Sequence, residues 1–207
     1  MDKNEYTIDR GTHFSHGKKG QPSLLSLILL LLGVILHLIH GVSVWYSFAL
    51  YASAVVTYRM AYNKMKYTYM RVVFDDTCTY HIEGPDALDI NKLFGVGFGN
   101  HMKYSGRFGW RSIGQQFEIF AYVHNDGDMV TKKVLTCNPN EPIELCLKIS
   151  DTDYEFSASK RSGERARVKI ERRGSWLYNL FAYRLYPYFG GNLTAPHNMR
   201  LEMTVIN

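Results

Sequence analysis

Between Lys19 and Arg59 the chain contains no Asp, Glu, Lys or Arg. A stretch that long without charge cannot face water throughout, and it is almost twice the length one helical membrane crossing needs. A single straight helix therefore fits badly. The first half, Leu24 to Ile39, is dominated by Leu and Ile; the second, Val42 to Thr57, mixes Val, Ala, Ser and aromatics, with Gly41 between them. Each half makes about 24 Å of helix at 1.5 Å per residue, just short of a bilayer's hydrocarbon core. The expectation is an N-terminal transmembrane helical hairpin over residues 23–58. A single tilted helix from about Leu24 to Trp45 is the rival.

Lys18 and Lys19 precede this stretch, and Arg59, Lys64, Lys66 and Arg71 follow it. Positive flanks tend to stay inside the cell, so a hairpin returning to its starting side satisfies both. The expected location is the inner (cell) membrane, with both termini and the following domain cytoplasmic. The chain thus divides into a polar tail (1–22), the hairpin (23–58) and a water-soluble β-rich domain (59–207). The net charge of +5 is modest and spread over the two polar parts, too little by itself to argue for nucleic acid. Cys78, Cys137 and Cys146 form no CxxC pair, which disfavours zinc, and they read as reduced thiols.

From Tyr67 onward the pattern changes to period two, with turn residues about every ten positions. In Gln116 to Val123 the residues Phe117, Ile119, Ala121 and Val123 make one apolar face, and Asn125-Asp126-Gly127-Asp128 then supplies a tight hairpin turn. Further strands are expected at Tyr67 to Phe74, Thr77 to Ile82, Arg107 to Ile113, Met129 to Cys137, Ile143 to Ile149, Tyr154 to Ser159, Val168 to Arg172, Tyr183 to Phe189 and Met199 to Ile206. Asp75-Asp76 would close a hairpin between the first two, Asp86 to Phe94 would be a short helix, and Gly95 to Gly99 a glycine-rich bend. That many short strands exceed one small sheet and point to a jelly-roll-like β-sandwich, with a closed barrel as the second choice.

The carboxylates cluster at predicted turns, where solvated acids are expected in any case. No strand carries them at i and i+2 on one face, and His81, His101, His124 and His197 are dispersed. The chain is therefore expected not to be an enzyme, and neither a metal nor a cofactor is called for. Arg167 and Lys169 alternate with Val168 and Ile170, so their charges share one face, either a solvated edge or an anion site. Arg107 and Arg111 around Trp110, with Tyr186 and Tyr188, complete the candidate ligand contacts, through guanidinium donors and aromatic stacking.

Three segments carry a resemblance: Ser105-Gly106-Arg107-Phe108-Gly109-Trp110-Arg111, Glu118-Ile119-Phe120-Ala121-Tyr122, and Leu185 to Asn192 followed by Thr194-Ala195-Pro196-His197. They resemble motifs of an uncharacterised family of small β-rich proteins from bacteria and phages over about Thr77 to Asn207. The resemblance implies a sandwich similar to concanavalin or lamin-G domains, and it brings no catalytic residues. In architecture alone, the expected plan also resembles two-helix effectors of bacterial anti-phage cyclic-nucleotide signalling. The leading functional expectation is a membrane-anchored, non-enzymatic binding or sensing module. Its partners would be the lipid bilayer, an anionic ligand (nucleotide or lipid headgroup) or a protein, including further copies of itself. A nucleotide-gated membrane-disrupting effector and a phage-borne structural protein are the alternatives.

Overall fold

The computed structural model describes residues 3–13, 15–16, 65–174 and 181–206, together with 52–53, 56, 62–63 and 179. Twelve strands are present among these: β1 (Lys3–Ile8), β2 (Ser15–His16), β3 (Tyr67–Phe74), β4 (Asn91–Phe98), β5 (Tyr104–Ile113), β6 (Gln116–Asn125), β7 (Asp128–Cys137), β8 (Ile143–Ile149), β9 (Asp153–Lys160), β10 (Arg165–Glu171), β11 (Ala182–Leu185) and β12 (Met199–Val205). They form two antiparallel sheets. One has seven strands in the order β10-β9-β8-β3-β12-β1-β2, the other five in the order β11-β4-β5-β6-β7. The fold is a β-sandwich.

Alternation builds the core. On β5 the residues Phe108 and Trp110 point inward, as do Phe117, Ile119, Ala121 and Val123 on β6, and all are almost fully buried. They meet the other sheet through aromatic contacts: Trp110 lies 5.1 Å from Phe74 of β3, and Phe108 packs edge-on against Phe156 of β9 at 5.1 Å. The β6–β7 hairpin closes at Asp126 and Gly127, whose φ of 56° and 93° are the left-handed pair that a two-residue turn requires.

Several expectations need correction. The membrane-anchored architecture is overturned: no helix among the described residues is long and apolar enough to cross a membrane. The hairpin expected over 23–58 lies almost wholly outside the described residues, which reach only positions 52–53 and 56 within it. Freedom from charge measures how apolar a stretch is, not what it is buried in. The inner-membrane and cytoplasmic location rested on that hairpin and falls with it.

The expected polar tail is also different. Lys3–Ile8 is strand β1, paired along its length with β12 and burying Tyr6 and Ile8, so the sheet is built from chain on both sides of the uncharged stretch. Thr77 to Ile82 contributes no strand; Asp76–Cys78 is a 3-10 turn capped by the Asp75 carboxylate, and β3 pairs instead with β12 and β8. The expected helix from Asp86 is only a 3-10 turn at Pro85–Leu88, and the glycine-rich Gly95–Gly97 lies inside β4.

Candidate functional site

The outer face of the five-stranded sheet carries a cleft of about 600 Å³. Residues of opposite parity to the core build its floor. Arg107 on β5 stands directly across from Tyr122 on β6, and Ser105 across from His124. Beside them, β4 presents Gly95 opposite Arg107 and Gly97 opposite Ser105. These glycines are a steric necessity, because a Cβ on Gly95 would lie 2.4 Å from the Arg107 Cα and one on Gly97 would lie 2.9 Å from the His101 Cβ. Lys92 enters from the start of β4, His101 and Met102 from the β4–β5 turn, and Arg184 and Leu185 from β11.

Tyr186, Tyr188, Gly190 and Gly191 line one wall of the cleft. Two backbone hydrogen bonds fix it, Lys92 N to Tyr188 O at 2.8 Å and Tyr188 N to Lys92 O at 3.0 Å. Behind it the His13 ring stacks on Tyr188 at 5.1 Å, and the Phe189 amide donates to His13 O at 2.8 Å. The segment just after β1 therefore splints this wall, a role invisible when residues 1–22 are read as a tail.

The cleft's own lining is cationic, while Asp89 beside Gly191 partly offsets the charge at Lys92. Lys92, Arg107 and Arg184 line the cleft and no carboxylate does. Arg107 is only 6% exposed, and its guanidinium lies 5.3 Å from the Tyr122 ring centroid. Burial pushes its pKa down. Lys92 is pushed down to about 8, first by burial and then by the positive charge of Arg107, while its ammonium donates to Gly190 O at 2.8 Å. His124 is held neutral by burial first, and then by Arg107, Lys92 and His101. His101 Nδ1 shares a 2.8 Å hydrogen bond with the Tyr183 hydroxyl, whose pKa burial raises.

Polar satisfaction singles this place out. Among the described residues, six buried side-chain polar atoms have no hydrogen-bond partner, and four of them lie here: Ser105 Oγ, Arg107 Nε and both ring nitrogens of His124. The Gly127 backbone approaches His124 closely enough to oppose part of its downward pKa shift. Each such atom costs about 1–3 kcal/mol when left dry. Four together concentrate unsatisfied polarity directly beneath the cleft.

The sequence candidates separate. Arg107, Tyr186 and Tyr188 converge in the cleft. Trp110 does not, and its role is corrected: it is fully buried among Phe74, Tyr80 and Phe117, because it has the inward parity of β5. Arg111 lies beyond the cleft, held by Glu118 at 2.7 Å, which Lys133 also contacts at 2.7 Å. Arg167 and Lys169 are on the other sheet, both directed at Glu155. Lys92, Ser105, Tyr122 and His124 were missed, although parity with Arg107 and Phe120 could have placed the β5 and β6 members on this face.

No protein-family model matches the chain, and no curated protein does. Among solved structures, an alginate lyase from Klebsiella pneumoniae superposes with a TM-score of 0.52 at 7% identity, covering 68% of this chain and 58% of that one. The sandwich fold is shared with a lyase. This chain thus corresponds to little more than half the length of that protein. An alginate lyase from Alteromonas sp. 272 (TM-score 0.40, 11% identity, 69% of this chain and 72% of that one) and the LG1-3 region of the laminin α2 chain (TM-score 0.32, 11% identity, 66% and 21%) are more distant. The expectation of a non-enzymatic module is corrected: the fold also serves catalysis, and titratable groups that are dispersed in sequence meet in one cleft. Among the described residues no group of three or more His, Cys, Asp or Glu could hold a metal ion.

Proposed function

We propose that the protein is carbohydrate-active and that its cleft takes an acidic glycan, with a uronate carboxylate held by Arg107 and Lys92. The observation that carries this reading is the unpartnered polar set of Arg107 Nε, the two His124 nitrogens and the adjoining Ser105 Oγ, at the base of a cleft whose lining holds cations and no carboxylate. A carboxylate would satisfy the guanidinium and neutralise a charge that is costly to bury. Tyr122, Tyr186 and Tyr188 offer ring faces and hydroxyls to a sugar, a mixture suited to saccharides rather than to a bare anion.

The same groups suit β-elimination at a uronate. Neutralising the carboxylate acidifies the C5 proton; a base removes it, a C4–C5 double bond forms, the C4–O4 bond breaks, and an acid protonates the departing oxygen. Neither water nor a redox partner is consumed. A neutral His124 is a candidate base, and the Tyr183 hydroxyl, hydrogen-bonded to His101, a candidate acid.

Incubating the full chain with polymannuronate, polygalacturonate and hyaluronate, and following the ultraviolet absorbance of the unsaturated product, tests this. The expected result is absorbance growth with at least one polymer, abolished in His124→Ala. Binding without absorbance growth would remove the elimination step and leave the acidic-glycan site. Absence of binding to all three, with retention of ATP, would replace the glycan by a phosphate ligand.

A further inference from the structure

The outer face of the seven-stranded sheet carries a second depression, of about 650 Å³, within the range of small-ligand sites. Strand register explains its shape. Across the sheet, Tyr69 of β3 stands opposite Cys146 of β8, then Ser157 of β9, then Arg167 of β10. One row along, Glu144 leads to Ser159 and Arg165. The floor is thus made of small side chains, with tyrosines forming one bank and arginines the other. Tyr67 stands at the tyrosine bank, 59% exposed, with its hydroxyl against the Cys146 thiol of the floor and its ring open to the trough.

Charge separates this trough from the cleft. Its lining holds two carboxylates, Glu144 and Glu155, and two guanidiniums, Arg165 and Arg167. The acids are already engaged, Glu144 by the Tyr69 hydroxyl and Arg71, and Glu155 by Arg167 and Lys169. A polyanion gains little from such a balanced surface and meets two carboxylates on entering it. A hydroxyl-rich neutral ring fits each feature: carboxylates accept from vicinal hydroxyls, guanidiniums and serines donate, and an exposed tyrosine face packs on the ring's C–H side. Arg165 has no carboxylate partner among the described residues and is free to donate.

We infer that this trough is a second saccharide site, selective for neutral sugar units, on the opposite side of the sandwich from the acidic-glycan cleft. It holds independently of what occupies the cleft. A chain with both sites can grip a mixed or branched polysaccharide at two points.

Cys146 on the trough floor gives a direct readout, because it is the one partly exposed thiol; Cys78 and Cys137 are buried. The full chain is alkylated with N-ethylmaleimide in the presence of cellohexaose, mannohexaose or xylohexaose at millimolar concentration. At least one is expected to slow Cys146 alkylation about threefold, as occupancy at twice the dissociation constant requires. Tyr67→Ala and Arg165→Ala, both exposed and remote from the core, should abolish the protection, while Arg107→Met should leave it intact. Overturning results are protection by none of the three, protection that survives both trough variants, protection lost with Arg107→Met, or equal protection by a uronate hexamer.

Discussion

The two outer faces of the sandwich use the same residue types to opposite ends. On the seven-stranded sheet, Arg71, Arg167 and Lys169 each face a carboxylate across a strand, and all three are exposed. On the five-stranded sheet, Arg107 and Lys92 have aromatic rings and backbone around them and no salt bridge among the described residues, with Asp89 acting on Lys92 only from a distance, and Arg107 is nearly sealed from water. Exposed pairs contribute little to stability. An unpaired buried cation is a liability to the fold, retained where a ligand completes it. Pairing, rather than the number of basic residues, is what distinguishes a face that draws no anion from one that does.

The largest effect that would break this contrast is expected at Arg107. Replacement by Met should weaken binding of a uronate hexasaccharide by about a hundredfold, or about 3 kcal/mol, while leaving Tm unchanged or higher. Calorimetric titration and thermal unfolding measure the two halves. A fall in Tm with affinity retained would make Arg107 a structural residue. Next, Gly95→Ala places a Cβ 2.3 Å from the Gly106 carbonyl and 2.4 Å from Arg107. The strands must part, costing about 1–3 kcal/mol in denaturant unfolding and lowering affinity with it.

A smaller effect comes from pH. Lys92 is charged below its depressed pKa of about 8 and loses its proton as pH rises through that value. Affinity for the uronate should therefore fall by up to about tenfold on going from neutral to alkaline solution, the worth of one charge-assisted contact. Lys92→Gln should flatten that profile. The smallest effect is expected on the other sheet: Arg167→Ala, removing a largely exposed guanidinium paired with Glu155, should change neither Tm nor uronate affinity measurably. A large loss of either would mean that the two faces do not act independently.

Much of the sandwich was legible because alternation is a local signal. The faces of β6 and β8 and the Asn125-Asp126-Gly127-Asp128 turn follow from period two and from the positive φ the turn needs. Strand pairing was not local, and β3 joins β8 and β12 rather than the residues just after it. The Lys3–Ile8 strand was hidden because its partner β12 lies at the far end of the chain. In the site, Arg107 was found by residue type, yet grouping it with Trp110 ignored that neighbours in a strand face opposite ways. Lys92, Ser105 and His124 give no motif; Ser105 and His124 are marked by side-chain atoms without hydrogen-bond partners and Lys92 by its place beside Arg107, features of three dimensions that no linear pattern records.

The most direct test is a crystal structure of the full chain soaked with a uronate hexasaccharide. The expected result is a sugar carboxylate within hydrogen-bonding distance of Arg107 Nε, with the same ring contacting His124. Saccharide bound elsewhere while Arg107 stays unliganded would contradict the assignment of the five-stranded face as the acidic-glycan cleft.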